Sequence, residues 1–272
     1  MTIPAEGVER WTLPTLSAAI AWCHQRNREG ICCILDVLGE YTADSRQIAE
    51  TEREYQSCIE AVRREGIEAS VTLKLTALGV TDAPDRARAI ALGLAQECAA
   101  AHIGIEIDME ARGLVDTTLD IAHSCLRKGF PVTIALQAYL RRTPGDLRVL
   151  LSARGRSRIV KGAYFGDSED QAVIRAWFCS LVDAAVAGKQ GCSIGTHDPV
   201  LIDQITRSHA DEKGKIEFSF LKGLADATKH SLVLQGWRVS EYVPFGTHIA
   251  PYIARRERYL RDLERLGLHP VP

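Results

Sequence analysis

With 272 residues, 46% hydrophobic and 25% charged, the chain can bury a large core and has the usual length of one α/β barrel; residues 1–272 read as a single domain with no room for a second. A formal net charge of -2 argues against a nucleic-acid partner, which calls for a basic face. No run of about 18 uncharged apolar residues occurs, which excludes a spanning helix and leaves peripheral membrane contact open.

Short apolar runs of strand length alternate with longer stretches whose apolar residues recur at helical spacing. In chain order, a helix over 15–29 leads into a strand at 31–36 (ICCILD), and a helix at 45–65 into a strand at 69–75 (ASVTLKL). Helices at 84–101 and 113–128 flank the strand at 104–108 (GIEID); strands follow at 132–136 (VTIAL) and 157–161 (SRIVK), with a helix at 144–154 between them. A helix at 168–187 precedes the strand at 192–196 (CSIGT), and one at 199–209 precedes the strand at 216–219 (IEFS). The last units are a helix at 225–236, a strand at 239–243 (VSEYV) and a helix at 248–266, with LERLGLHPVP as a helix end and short tail. Asp44-Ser45, Asp82-Ala83-Pro84 and Asp198-Pro199 read as helix starts, where an acidic cap or early proline suits the first turn.

Eight strands alternating with helices predict a closed parallel (β/α)8 barrel. An open doubly wound sheet would show a Gly-x-Gly-x-x-Gly turn after its first strand, and none is present. The eight cysteines mostly sit in apolar periodic stretches, as buried free thiols do; without a Cys-x-x-Cys pair or a secretory leader, the reading is a reducing cytoplasm and no metal site.

In α/β barrels the chemistry sits at the C-terminal ends of the strands. Here Lys74, Asp108, Gln137, Lys161, Thr196, His197 and Tyr242 fall at or beside predicted strand ends. Each alone has a plain reading: a salt-bridge partner or cap for Asp108, a backbone ligand for Gln137, a satisfied core histidine for His197. Their convergence on one rim does not, because buried polar groups cost free energy unless partnered. Arg255-Arg256 on the final helix is either a solvated face or a planar clamp for a carboxylate. Arg158 and Lys161 run into a Gly162-Ala163 turn, which suits an anionic cofactor; a lysine at a strand end also suits a Schiff base.

Together the strings LDVLGE (35–40), LKLTALG (73–79), IEIDMEA (105–111), ALQAYLRR (135–142), RIVKGAY (158–164), GTHD (195–198), EFSFLKG (217–223), YVPFG (242–246) and YIARR (252–256) resemble the proline dehydrogenase family, in family order over most of the chain. The resemblance implies a distorted eight-stranded barrel with a final helix over its mouth, FAD as cofactor, oxidation of L-proline to 1-pyrroline-5-carboxylate, and a quinone or other electron acceptor. By position, Lys74, Arg255 and Arg256 would grip the substrate carboxylate, and Tyr164, Leu221 and Tyr242 would shape the ring pocket. Asp108 would orient the clamp, and Arg158 would stand near flavin N5 and favour its reduced form. Met109, Gln137, Val160, Lys161, Gly162, Ala163, Thr196 and His197 match positions that hold FAD, and Glu40 matches an acid that pairs with the clamp when substrate is absent.

The chain departs from the family pattern in three places: Phe165 stands where tryptophan is frequent, Glu257-Arg258-Tyr259-Leu260 replaces an apolar run, and the helical material expected before the first strand is reduced to one helix or less. Tyr242 would crowd a ring hydroxyl, favouring proline over hydroxyproline. The readings from other classes are a Schiff-base aldolase using Lys161 and a barrel subunit without turnover. Location is read as cytoplasmic, with peripheral contact at the inner face of the membrane left open, as is the oligomeric state.

Overall fold

The computed structural model describes residues 10–265, with side chains through Arg261. Eight parallel strands close into a barrel in the order β1 to β8: Cys32–Val37, Ala69–Leu73, Gly104–Ile107, Val132–Gln137, Arg156–Val160, Cys192–Gly195, Ile216–Leu221 and Arg238–Phe245. Closure comes from β8 pairing with β1 over six positions, from Cys32 opposite Ser240 to Val37 opposite Phe245.

Nine helices accompany them among the described residues: α1 Leu16–Arg28, α2 Ser45–Glu65, α3 Pro84–Ala100, α4 Val115–Arg127, α5 Thr143–Ser152, α6 Gln171–Ala187, α7 Pro199–Ser208, α8 Asp226–Leu234 and α9 Ala250–Arg265. Each predicted strand and helix is present, with boundaries shifted by a few residues. β8 continues to Phe245, so Tyr242 lies within the strand rather than at its end, and β7 runs on to Leu221. The tail beyond Arg265 lies outside the described residues.

Local chemistry accounts for the helix ends. Asp44 accepts from the Arg46 and Gln47 amides, Asp198 from Val200, and α2 stops at Gly66 with φ 61°. Asp82 does not cap α3; the cap position is Ala83, without a side-chain bond, and Pro84 at the first turn supplies the preset φ instead.

Two layers divide the side chains. Aliphatic residues such as Ile105, Ile107, Ile134 and Ile159 are buried, as are helix residues such as Leu94 and Phe178. The barrel axis is polar, because contacts between strands that are not neighbours must cross the interior: Arg156 of β5 donates to Glu217 of β7, and Arg158 of β5 forms an ion pair with Glu106 of β3. Serines 193 and 240 also donate to Glu217. All eight cysteines are free, and only Cys32 and Cys179 are less than fully buried. Among the described residues no helix is long and apolar enough to cross a membrane.

Phe178, fully buried in α6, and Leu234, 87% exposed at the end of α8, test the position of the core. Phe178→Ala is expected to lower the unfolding free energy by about 3–5 kcal/mol. Leu234→Ala should change it by about 0.5 kcal/mol or less. Denaturant titration of the two variants measures both.

Candidate active site

The strand C-termini and α9 enclose a cavity of about 580 Å³, within the size range of small-molecule sites. All sixteen substrate, cofactor and catalytic positions expected above line it: Lys74, Asp108, Met109, Gln137, Arg158, Val160, Lys161, Gly162, Ala163, Tyr164, Thr196, His197, Leu221, Tyr242, Arg255 and Arg256.

Asp108, just past β3, is the centre of the charge network. Its Oδ2 accepts from Lys74 Nζ at 3.0 Å and from the Tyr242 hydroxyl at 2.6 Å; its Oδ1 accepts from Arg158 and, at 3.2 Å, from Thr72 Oγ1. Burial opposes ionisation here, but Lys74 and Arg158 outweigh it and hold the carboxyl well below the usual range. Lys74 donates also to Asp36 and, at 2.7 Å, to the Tyr242 oxygen, so all three of its N–H groups are engaged by protein. Asp36 has its second oxygen buried without a partner. Burial pushes that carboxyl up to about 6 against the pull of Lys74, and Asp108 adds to the rise. Arg158 is shared between Asp108 and Glu106, whose Oε2 lies 2.8 Å from Nη1.

Helix α9 brings the arginine pair over the mouth. Arg255 holds Glu40, in the loop after β1, through two parallel contacts, one of 2.6 Å, and stacks on Tyr164 at 5.6 Å. Arg256 stacks between Tyr252 and Tyr259 at 5.1 and 6.0 Å, and its Nε is buried without a hydrogen-bond partner. Arg258 donates to the Ala163 carbonyl at 3.0 Å and covers Phe165, which is 78% exposed. The altered segment after the arginine pair therefore builds wall, with Tyr259 set 6.0 Å from His197.

The turn after β5 is shaped by Tyr139. Gly162 sits at φ 127°, and a Cβ there would lie 1.7 Å from the Tyr139 ring, so only glycine fits. The Tyr139 hydroxyl accepts from the Tyr164 amide at 3.1 Å. Lys161 donates to Asp198 at 2.6 Å and to Gln171 at 3.3 Å, and Arg175 shares the same Asp198 oxygen. Gln137 donates to the Met109 and Glu110 carbonyls, leaving its Oε1 buried and unpaired. His197 Nε2 accepts from the Leu221 amide at 3.0 Å.

Sequence reasoning missed Asp36, Glu106, Glu110, Tyr139, Asp198, Arg175 and Tyr252. Asp36 closes the strand predicted at 31–36, one residue before the end of β1, so the strand-end rule could have found it. Glu106 alternates with Asp108 on one face of its strand. Arg175 and Tyr252 lie on helices, where no local signal separates them from solvated residues.

Fold and rim cavity together define a barrel enzyme that handles a small molecule at the strand C-termini. A model described as proline dehydrogenase matches residues 19–188, and the chain belongs to that family. It is 27% identical over 249 residues to proline dehydrogenase 1 of Bacillus subtilis, covering 89% of this chain and 82% of the relative. It is 29% identical over 255 residues to proline dehydrogenase of Deinococcus radiodurans, with the same coverage of 89% and 82%. Among solved structures it resembles proline utilization A from Bdellovibrio bacteriovorus, with a TM-score of 0.84 at 17% identity; the match spans 92% of this chain and about a third, 32%, of that larger one. This last likeness concerns the fold.

His197 is pushed down from 6.5 to about 3 by burial and then by the charges of Arg256 and Lys229. The folded state thus disfavours the imidazolium: the stability His197 contributes is present above the ordinary histidine range and is lost as pH falls toward the depressed value. Its ring resonances are expected to stay those of the neutral form from pH 8 to pH 5 in an NMR titration, and a midpoint between 6 and 7 would contradict this environment.

Proposed function

We propose that the chain oxidises L-proline to 1-pyrroline-5-carboxylate, the first step of proline catabolism, with FAD as its cofactor. The observation that carries this reading is Arg255, a guanidinium on the lid helix that already holds a carboxylate side-on, that of Glu40. An amino-acid carboxylate has the same shape and charge and can take that place.

The walls suit the cofactor. Gln137 offers a buried acceptor without a partner, which suits the N–H of a planar heterocycle. Lys161 with Arg175 places positive charge beside the turn after β5. When bound, FAD supplies the acceptor for the hydride leaving the ring carbon next to nitrogen.

The chain's own part is orientation and charge. Arg255 exchanges Glu40 for the substrate carboxylate, and Arg256 brings an N–H with no protein partner. Lys74 was expected to grip the carboxylate directly. Its hydrogens are taken by Asp36, Asp108 and Tyr242, so it acts through its charge and by fixing those groups. Tyr164, Leu221 and Tyr242 enclose the ring, and the Tyr242 hydroxyl, locked by two bonds, cannot swing away to admit a ring hydroxyl.

The amine must lose a proton as the hydride leaves. Asp108 is saturated by four donors, and His197 already accepts from an amide, so neither serves as base and water takes the proton. The aldolase reading loses support because the Lys161 ammonium is spent on Asp198 and Gln171, whereas a Schiff base requires a free lone pair. A quinone is our choice of final acceptor, on the family resemblance alone.

Purified protein is expected to be yellow and to bleach on anaerobic addition of L-proline. A colourless protein, or a flavin band that proline leaves intact, would overturn the reading. Arg255→Met and Arg256→Met should each raise the KM for proline by about 10- to 100-fold, in line with the 1.5–3 kcal/mol contributed by a hydrogen bond to a charged group. Both variants should retain their flavin spectrum; an unchanged KM in both would remove the arginine clamp.

A further inference from the structure

Glu110 belongs to the loop after β3, is 2% exposed, and has no role in the reaction described above. Its two oxygens are spent on one residue of the neighbouring loop: Oε2 accepts from the Thr76 amide at 2.9 Å and Oε1 from the Thr76 hydroxyl at 2.5 Å. Thr76, itself fully buried, lies in the 3-10 turn Leu75–Leu78 directly after Lys74. The Thr76 carbonyl in turn accepts from the amide of Thr42, two residues past Glu40, at 3.0 Å. On the other side the Glu110 carbonyl accepts from Gln137, at the end of β4, at 3.0 Å.

These contacts form a belt. It runs from the loop after β1 through Thr76 and Glu110 to β4, and the residues it carries are Glu40, Lys74 and Asp108. Beyond the strand ends the regular ladder of the sheet no longer fixes the loops, so their relative height rests on individual contacts such as these. A carboxylate gripping both an amide and a hydroxyl of one residue fixes that residue in position and in rotation.

We propose that Glu110 is a positioning residue that ties the rim loops after β1 to β4 into one unit and so places Lys74 and Glu40 for the exchange at Arg255. The kinetic part of this proposal rests on the proline-oxidising reading; the structural part does not. Glutamine can preserve the tie, its carbonyl accepting the Thr76 amide and its NH2 donating to a turned hydroxyl, whereas alanine cannot.

The test compares Glu110→Ala and Glu110→Gln with the wild-type holoenzyme by amide hydrogen exchange and steady-state kinetics with proline. In E110A the Thr76 and Thr42 amides should exchange at least about 10-fold faster while amides of α6 are unaffected. The KM for proline should rise about 5-fold or more, with kcat within about 3-fold of wild type. E110Q should recover both readouts to within about 2-fold.

Unchanged exchange at Thr76 in E110A overturns the proposal, as does a fall in kcat without a rise in KM, or a glutamine variant that behaves like alanine. If E110A does not fold, Thr76→Val, which keeps the amide and loses the hydroxyl, should raise the KM and the Thr42 exchange rate about 3-fold, with Thr76→Ser restoring them; no change in the valine variant refutes the belt. Failure of the wild type to oxidise proline would sink the functional reading alone, and the exchange measurements would still decide the role of Glu110.

Discussion

The site depends on a single buried carboxylate being kept ionised. Asp108 accepts four hydrogen bonds from groups on β2, β5, β8 and the segment just after β2, so one side chain ties together opposite walls of the barrel. Such an arrangement is mutually dependent, because a buried ion is costly and its neighbours are tolerable only in its presence. The two cations, Lys74 and Arg158, face three carboxylates, Asp36, Glu106 and Asp108. Burial pushes both Asp36, up to about 6, and Glu106 above the usual carboxylate range, and the neighbouring carboxylates add to the rise, whereas Asp108 is held below it. Tyr242 is held inside this network by its hydroxyl, so the shape of the pocket and its electrostatics have one origin.

The lid helix is fastened on both sides of the mouth. Arg255 binds Glu40 in the loop after β1, and Arg258 binds the backbone of Ala163 in the turn after β5. On the proposed reading, one fastening competes with the substrate carboxylate and the other does not, so entry of an amino acid would exchange a partner at Arg255 while Arg258 keeps the helix registered on the rim. The polar segment after the arginine pair thus has a structural use: Arg258 supplies a hydrogen bond and Tyr259 an aromatic face to the wall of the mouth.

Much of this architecture is legible in the order of the residues. The alternation of short apolar runs with helical periodicity marks all eight strands because each strand is flanked by turn chemistry that periodicity does not disguise. Asp108, Lys74 and Lys161 stand out for lying at predicted strand ends, and the family strings supply positions such as Met109 and Ala163 that no local pattern marks. What stays hidden is partnership. That Glu106 shares Arg158, that Asp198 joins Lys161 to Arg175, and that Tyr139 packs where Gly162 lacks a side chain are facts of barrel closure. They join residues far apart in the chain, and spacing along it carries no trace of them. The acidic cap expected at Asp82 fails for a local reason: Pro84 opens the helix, so the cap position falls on Ala83 and Asp82 stands one residue too early, whereas Asp198 directly precedes its proline and does cap.

The polar axis carries a consequence for how such a barrel can change. In the aliphatic layer between strands and helices, fit is a matter of volume, and residues can be exchanged one at a time if the space stays filled. Along the axis, where Arg156 meets Glu217 and Arg158 meets Glu106, the quantity that must be kept is the sum of charges. A lone reversal of sign there strands its opposite number in a medium that cannot solvate it, so sequence drift through the middle of the molecule must proceed by matched pairs while the shell around it wanders freely.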